Sequence, residues 1–451
     1  YNEKKHAYEP QHGIGVRIFN HRYDTGVGPV EIPITINTNI PNAAGDCSIP
    51  YVAMNTNLVR KVLGIHTSGN GSTASLAPVT QEMITKYFSL VEAKHKPEVQ
   101  QGRPEIVLPA SVQEQPWPWT KYKEKSFIPS KHGIVPSKMA KFLGPAITRP
   151  APINTSAICK NLPPNVTPIN NALHKYDKFP ANFSARDKEQ YLPHIGEHLH
   201  RYLPRPTTPV DRLHPVQHAI MGIPGTKHSK ALHWNTARGV PFKWELHGHG
   251  KDPCFTEVNG KLRMVPFVEE SYLTLKRDLQ AGRPFTKVVF EDFPKACRVG
   301  LDDYDDGKLR LTSTAPIDHL EWARQLFQGI IEATSCATTG NWFASALDVS
   351  NNDWEFMYRD IFYGRPIYAI FCEDVKKLDA NFREEIATVC IDVICNWYEL
   401  NGSSKELNDM RRTFLINTLN VKHIIGDKCY IAPWTNPSGQ LLTLFLNTLY
   451  I

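Results

Sequence analysis

The chain has 451 residues, 41% of them hydrophobic and 21% charged, with a modest formal charge of +6, a length that suits about three domains with sizeable cores. Its nine cysteines show no CxxC pair and no regular spacing, which argues against a disulfide framework and for a reduced intracellular compartment. No initiator Met, signal peptide or apolar run of spanning length is visible, and the sequence opens at Tyr1 and stops at Ile451 inside an expected helix, so it reads as a fragment of a longer chain.

From Tyr1 to about Ala93, polar and apolar residues alternate through Val30–Ile36 and Tyr51–Ile65 between turns rich in Gly, Pro and Asn, the pattern of an all-β domain. Ile84, Phe88 and Val91 near helical spacing predict a short helix over 80–93. Residues 94–119, with Pro97, Pro104, Pro109, Pro116 and Pro118 and little periodicity, read as a linker. The next stretch, to about Val289, is Pro-rich and lacks long helical periodicity before Ser184. Residues 101–250 carry twenty Lys and Arg against nine Asp and Glu. That basic surface suits a polyanion such as RNA or a nucleoside triphosphate, or is an ordinary solvated face. His247, His249 and Cys254 have zinc-ligand chemistry but no evident fourth partner.

Two later stretches carry the chemistry. Ile367–Cys372 is a short β-prone apolar run that predicts a buried strand, with Asp374 just past its end and Asp379 five residues further on. From Phe382, the residues Ile386, Val389, Cys390, Val393, Ile394 and Trp397 recur at three- and four-residue steps, one face of a helix. A carboxylate at a strand end is well placed for a hard divalent cation; equally, Asp374 could be a turn residue and Asp379 a helix cap. Asn436–Asn447, NPSGQLLTLFLN, then sets Ser438, Gly439, Thr443 and Asn447 in the spacing SGxxxTxxxN. Taken alone, it could be a Pro-Ser-Gly turn opening an apolar helix.

In this order the two stretches resemble the first two palm motifs of RNA-dependent RNA polymerases from picorna-like positive-strand RNA viruses. The resemblance implies that Asp374 is a catalytic residue binding Mg²⁺ (or Mn²⁺), and that Asp379 and Asn447 recognise the ribose 2′-OH. It also implies that Ser438 and Gly439 form the loop that positions substrate, supported by Thr443. The chemistry agrees, because a 2′-OH both donates and accepts, so a carboxylate and an amide can tell RNA from DNA precursors. Lys121–Ser130 and Gly222–Phe242, the latter containing HWNTARGVPF, loosely resemble the fingers of the same family. Arg298, Lys308, Arg310 and the later Arg324 resemble its basic fingers strand, which roofs the NTP channel and neutralises triphosphate charge. The anchor is GKLR, Gly307–Arg310; a solvated loop is the plainer alternative. Phe290 and Pro294 stand where the family often has Lys and Arg, with Lys287 or Lys295 as substitutes. An acidic insert, Asp302–Asp306, interrupts the strand. Its DDYDD precedes both palm motifs and is therefore not the third one, which is expected beyond Ile451. NNDWEFMYRDI, with Asp353 and Trp354, fits the run just before the palm.

Ala44–Tyr51, AGDCSIPY, and Gly64–Gly71, GIHTSGNG, resemble the chymotrypsin-fold cysteine proteases that such viruses encode immediately before their polymerase. The resemblance implies Cys47 as nucleophile, the amides around Gly45–Cys47 as an oxyanion hole, and His66 lining the pocket that reads a P1 Gln or Glu. Ser48 stands where the family usually has Gly, and the family's His base and acid lie upstream of Tyr1. Half a protease, unable to cleave, is therefore expected; a buried structural Cys47 is the alternative. Gln101–Gly102 in the linker is a candidate processing site.

The expected architecture is multidomain. An incomplete all-β half-barrel of the chymotrypsin-like protease covers 1–93 and a Pro-rich linker covers 94–119. An α+β right-hand polymerase follows, with fingers over 120–360 and a truncated palm over 361–451. The implied reaction is in-line attack of a primer 3′-OH on the α-phosphate of an NTP. Its partners are RNA template and primer, NTPs, polyprotein cleavage sites and a protein primer, in the host cytoplasm at membrane-associated replication complexes. Without the third motif, the fragment is expected to bind RNA or NTP weakly and to polymerise nothing. Competing readings are a catalytically silent RNA-binding scaffold and a relationship to the protease alone. A reverse transcriptase is disfavoured by Asp379 and Asn447.

Overall fold

Alternation of apolar and polar residues in the first segment resolves into five antiparallel strands: β1 (Gly15–Asp24), β2 (Pro29–Thr38), β3 (Pro50–Val52), β4 (Val62–Gly69) and β5 (Ala74–Pro78). They form one sheet in the order β1-β2-β5-β4-β3. The computed structural model describes residues 15–24, 29–38, 50–52, 62–69, 74–78, 105–119, 121–122, 148–153, 159–177, 184–337, 355, 358–359, 375 and 377–451. It divides into two units, Tyr1–Arg103 and Pro104–Ile451. In the first, β1 and β2 pair from Gly15↔Thr38 to Asp24↔Pro29, and Leu76 on β5 is wholly buried. The β4–β5 register shifts between His66 and Ser68, an irregularity of the kind that re-aims side chains. Cys47, the expected helix over 80–93 and the Gln101–Gly102 bond lie outside the described residues.

The second unit is built on a mixed five-stranded sheet. Its strands are β6 (Gln113–Glu114), β10 (Val289–Pro294), β12 (Leu311–Thr314), β13 (Lys422–Ile425) and β14 (Lys428–Ile431), in the order β12-β10-β13-β14-β6. β10 runs antiparallel to β12 and parallel to β13. β13 and β14 form a hairpin that turns at Gly426, whose φ of 55° suits a residue without Cβ. Two short ribbons flank the sheet, β7 (Thr148–Pro150) with β11 (Arg298–Gly300), and β8 (Phe255–Val258) with β9 (Lys261–Met264).

Helices Pro266–Gln280, Ile317–Cys336, Glu384–Leu400, Lys405–Leu419 and Thr443–Tyr450 supply most of the main core. Trp322, Phe327, Ile330, Ile391, Ile394 and Phe414 in them are wholly buried, each such side chain contributing about 1.5–3 kcal/mol of transfer free energy. Of the expected face of helix Glu384–Leu400, Cys390, Val393, Ile394 and Trp397 are buried and Ile386 and Val389 half-buried, while Ala387, Ile391, Cys395 and Tyr398 are buried as well. The arc is wider than one face because helices Ala185–Arg201 and Lys405–Leu419 both pack on it. Helix Ala185–Arg201 starts at a full capping box, Ser184 with Asp187.

Residues 105–119, expected as linker, are instead packed into the second unit. Ile106 is buried in a core cluster with Ala151, Ile169 and Tyr430. Gln113 and Glu114 pair with β14, and Trp117 and Trp119 cover Val240, Val289, Ile424 and Cys429. The prolines suppress periodicity, but the large apolar residues between them still gain by burial.

Buried charges hold the loops. Arg238, inside the HWNTARGVPF stretch, donates to the carbonyls of Phe242 at 3.2 Å, Gly250 at 2.8 Å, Gly248 at 3.0 Å and also Leu246. One guanidinium thus organises residues 239–250. Glu321 is wholly buried, and neither of its oxygens has a hydrogen-bond partner among the described residues. Burial pushes its carboxyl up to about 8, against the weaker pull of Arg324 and Lys251. Because the folded value lies above the ordinary one, the stabilising effect is complete below about 4.5 and is lost as the pH rises through about 8. Glu321→Gln is therefore expected to raise the melting temperature at pH 9 by at least about 2 °C relative to its effect at pH 5. Equal shifts at both pH values in scanning calorimetry would contradict this origin.

Candidate active site

The site grows from the contact between β12 and the loop that precedes helix Thr443–Tyr450. The Ser313 backbone N–H donates to Ser438 Oγ at 3.1 Å. At Gly439 a Cβ would fall 1.7 Å from the Ser313 carbonyl oxygen, so any side chain there would force the loop off the strand. Thr443 Oγ1 reaches back to the Pro437 and Gln440 carbonyls at 2.7 and 2.9 Å and closes the turn. The loop is thus clamped from both sides.

Beneath it lies a buried polar cluster centred on Asp292 of β10. Its carboxylate accepts from the Ser313 hydroxyl at 2.6 Å, His423 Nδ1 at 3.1 Å, the Tyr176 hydroxyl at 3.4 Å, and the Tyr430 hydroxyl. Burial alone would raise this carboxyl. Attraction to and hydrogen bonding with His423, the charge of Lys175 and the Ser313 hydroxyl outweigh burial and hold it at about 2. Its partners thus favour the charged form of this carboxyl.

Asp379 sits in a short turn, Leu378–Ala380, ahead of helix Glu384–Leu400. Its carbonyl accepts from the Asn436 N–H at 2.8 Å, and its partly exposed carboxylate lies 3.5 Å from Lys175 Nζ. The Asn436 side chain in turn donates to Asn447 Oδ1 at 2.7 Å. Through Asn436 the structure therefore ties together Asp379 and Asn447, although they are 68 positions apart in the numbering. It likewise joins Ser438 and Gly439 to the strand that follows Arg310.

The basic residues fare differently. Arg310 is exposed just before β12, and its carbonyl accepts from the N–H of Lys295, also exposed. Arg298 is exposed on β11, with Nε and Nη2 held by the Thr148 hydroxyl and carbonyl, each at 2.8 Å. Lys308 is ion-paired with Asp303 at 2.9 Å, a surface pair of little energetic weight. The expectation for Arg324 needs correction. It lies in helix Ile317–Cys336, is 8% exposed, and donates to the carbonyls of Ala219 and Lys230, so its charge is spent on holding residues 219–230. Phe290 and Pro294 are buried in β10, so neither position faces solvent where a triphosphate could be met.

The acidic insert forms a short helix, Leu301–Asp305, capped by Asp306, and three of its carboxylates are taken up by nearby residues. Asp303 pairs with Lys308, Asp305 with Lys160 at 2.8 Å, and Asp306 with Asn161 at 2.7 Å. It is a clasp for residues 160–171. Among the described residues no group of three His, Cys, Asp or Glu could hold a metal ion. Asp374, the expected strand 367–372, and Asp353 with Trp354 lie outside the described residues; so does the side chain of His66, on β4. Sequence reasoning missed Asp292, Ser313, Asn436, Gln440 and Lys175. A signal existed for Asp292, a charge inside the apolar run VVFEDF.

A family model described as viral RNA-dependent RNA polymerase matches residues 153–451, well over half of the chain. The replicase polyprotein of Acute bee paralysis virus (strain Rothamsted) is 22% identical over 94% of this chain, and that of Drosophila C virus (strain EB) is 23% identical over 91%. The chain spans only 23% and 24% of those two relatives' lengths. In fold it is similar to the Sicinivirus 3Dpol RNA dependent RNA polymerase, with a TM-score of 0.52 over 78% of this chain and 64% of that one, at 15% identity. The chain belongs to the viral RNA-dependent RNA polymerase family.

Proposed function

We propose that residues 120–451 are the fingers and part of the palm of a picorna-like viral RNA polymerase that copies an RNA template by nucleotidyl transfer. The observation that carries this reading is the tie from Asp379 through Asn436 to Asn447, beside a Ser438–Gly439 loop clamped on β12. An acceptor-only carboxylate and an amide held on one frame suit a 2′-OH, which donates one hydrogen and accepts others. Arg310 and Lys295, both exposed, offer charge to a triphosphate, and Arg298 has donors left beyond those held by Thr148.

Asp374, a hard oxygen ligand five residues ahead of Asp379 in the sequence, would hold Mg²⁺ or Mn²⁺. When bound, the metal would activate the primer 3′-OH and neutralise the leaving pyrophosphate. The work of the chain's own residues is to orient the ribose, fix the substrate loop and screen the triphosphate. RNA template and primer, NTPs and a protein primer are the proposed partners. The proposed location is the host cytoplasm at membrane-associated replication complexes. No helix among the described residues is long and apolar enough to cross a membrane.

In the polymerase carried through its third palm motif, Asp374→Asn is expected to reduce primer extension roughly a thousandfold. Extension within tenfold of wild type would reject Asp374 as the metal ligand and favour a silent RNA-binding chain.

The first unit is proposed as the C-terminal half of a cysteine protease, with Cys47 as nucleophile and His66 in the P1 pocket. Supporting this are its antiparallel sheet and a likeness to a replicase polyprotein that covers 94% of the chain. Cleavage between Gln101 and Gly102 would release the polymerase. N-terminal sequencing of the mature polymerase should then begin at Gly102; a start elsewhere would remove that site.

A further inference from the structure

The loop Asn436–Leu442 contains a chain of side-chain amides whose direction is dictated by the backbone at both ends. The Leu442 N–H can only donate, and it donates to Gln440 Oε1 at 2.9 Å. Gln440 therefore turns Nε2 toward Asn436, donating to its Oδ1 at 2.7 Å. Asn436 must then direct Nδ2 the other way. One of its hydrogens goes to the Thr443 carbonyl, which can only accept, at 3.1 Å, and the other to Asn447 Oδ1 at 2.7 Å. Amide orientation is assigned from such networks, and here groups of fixed role anchor each end. Asn436 is wholly buried and Gln440 is 5% exposed, so a reversed amide would face like groups with no water to relieve it.

Resting on the ribose-site reading above, we propose that Asn436 and Gln440 are specificity-determining positioning residues, which lock Asn447 so that it offers the substrate ribose a donor, Nδ2. A hydroxyl has one hydrogen to give and two lone pairs. Once the Asp379 carboxylate takes that hydrogen, the second partner of the 2′-OH has to donate. Asn447 in the opposite flip would present Oδ1 and leave two acceptors competing for one hydrogen. The buried relay removes that flip. The bond from the Asn436 N–H to the Asp379 carbonyl fixes the acceptor side to the same residue, so donor and acceptor keep their spacing.

The test compares kcat/KM for single incorporation of ATP and of 2′-dATP by the complete polymerase. Asn436→Asp replaces Nδ2 by an oxygen, so Asn447 turns its own donor inward and presents Oδ1. Gln440→Glu removes the donor that orients Asn436. Each is expected to lower the ATP to 2′-dATP ratio about tenfold, the weight of one hydrogen bond, with KM for ATP rising and the 2′-dATP parameters near wild type. Asn447→Asp still accepts from Asn436 but offers the ribose only oxygen. It places its charge at a half-buried position rather than in the core, and the same fall is expected. Equal losses for both nucleotides in Asn436→Asp and Gln440→Glu would show a purely structural role and overturn the inference. So would an unchanged ratio in those two variants while Asn447→Asp lowers it. An unchanged ratio in Asn447→Asp would overturn the ribose reading itself, and the relay with it.

Discussion

Asp292 is the buried charge on which the candidate site rests. Its carboxylate gathers Ser313 from β12, His423 from β13, Tyr430 from β14 and Tyr176 from the turn after helix Pro168–Leu173. Removing a partner from such a buried charge network typically costs about 3–5 kcal/mol, because the remaining charge is left uncompensated. The cluster therefore fixes β12 in place, and β12 is the strand that Ser438 and Gly439 touch. Rigidity passes from a buried anion to a substrate loop in two hydrogen bonds. A site built on sheet strands in this way is held more firmly than one built on loops alone.

The parts of the site legible in the sequence were those whose spacing is itself the signal. SGxxxTxxxN could be read directly because the loop and the first turn of helix Thr443–Tyr450 are local in sequence. The helix from Glu384 was legible from its apolar period. Long-range partners were not. Arg324 follows Lys308 and Arg310 in a basic series, yet the apolar period of IDHLEWARQLFQGII places it in a buried helix, where carbonyls rather than phosphates satisfy it. Lys308 meets Asp303 in an exposed pair that its place in GKLR does not announce. Residues 105–119 read as linker because prolines hide periodicity, whereas Ile106 is buried and Trp117 and Trp119 pack half-buried on the core without any period.

The polar side chains of this unit divide into two kinds by where their partners lie. Arg238, Arg324 and Arg411 are buried and donate mainly to backbone carbonyls or neutral side chains. They fix loop geometry, and their donors are turned inward, away from any ligand at the surface. Arg298, Arg310 and Lys295 are exposed and carry the charge that a polyanion would meet. Net charge alone could not separate these groups. The acidic run Asp302–Asp306 belongs to neither, since Asp303, Asp305 and Asp306 hold Lys308, Lys160 and Asn161 and fasten residues 160–161 to the turn before β12.

The most direct measurement is to map where a ribose-reactive nucleotide attaches. Periodate-oxidised ATP carries its aldehydes at the 2′ and 3′ positions and forms a Schiff base with a nearby lysine, which borohydride then traps for peptide mapping. With the ribose seated between Asp379 and Asn447, the adduct should fall on the exposed Lys377, two residues before Asp379 in the same turn, rather than on Lys175, whose ammonium is held charged beside Asp379. ATP should protect Lys377 better than 2′-dATP. Adducts confined to lysines of the first unit, or equal protection by the two nucleotides, would contradict a ribonucleotide site at this position.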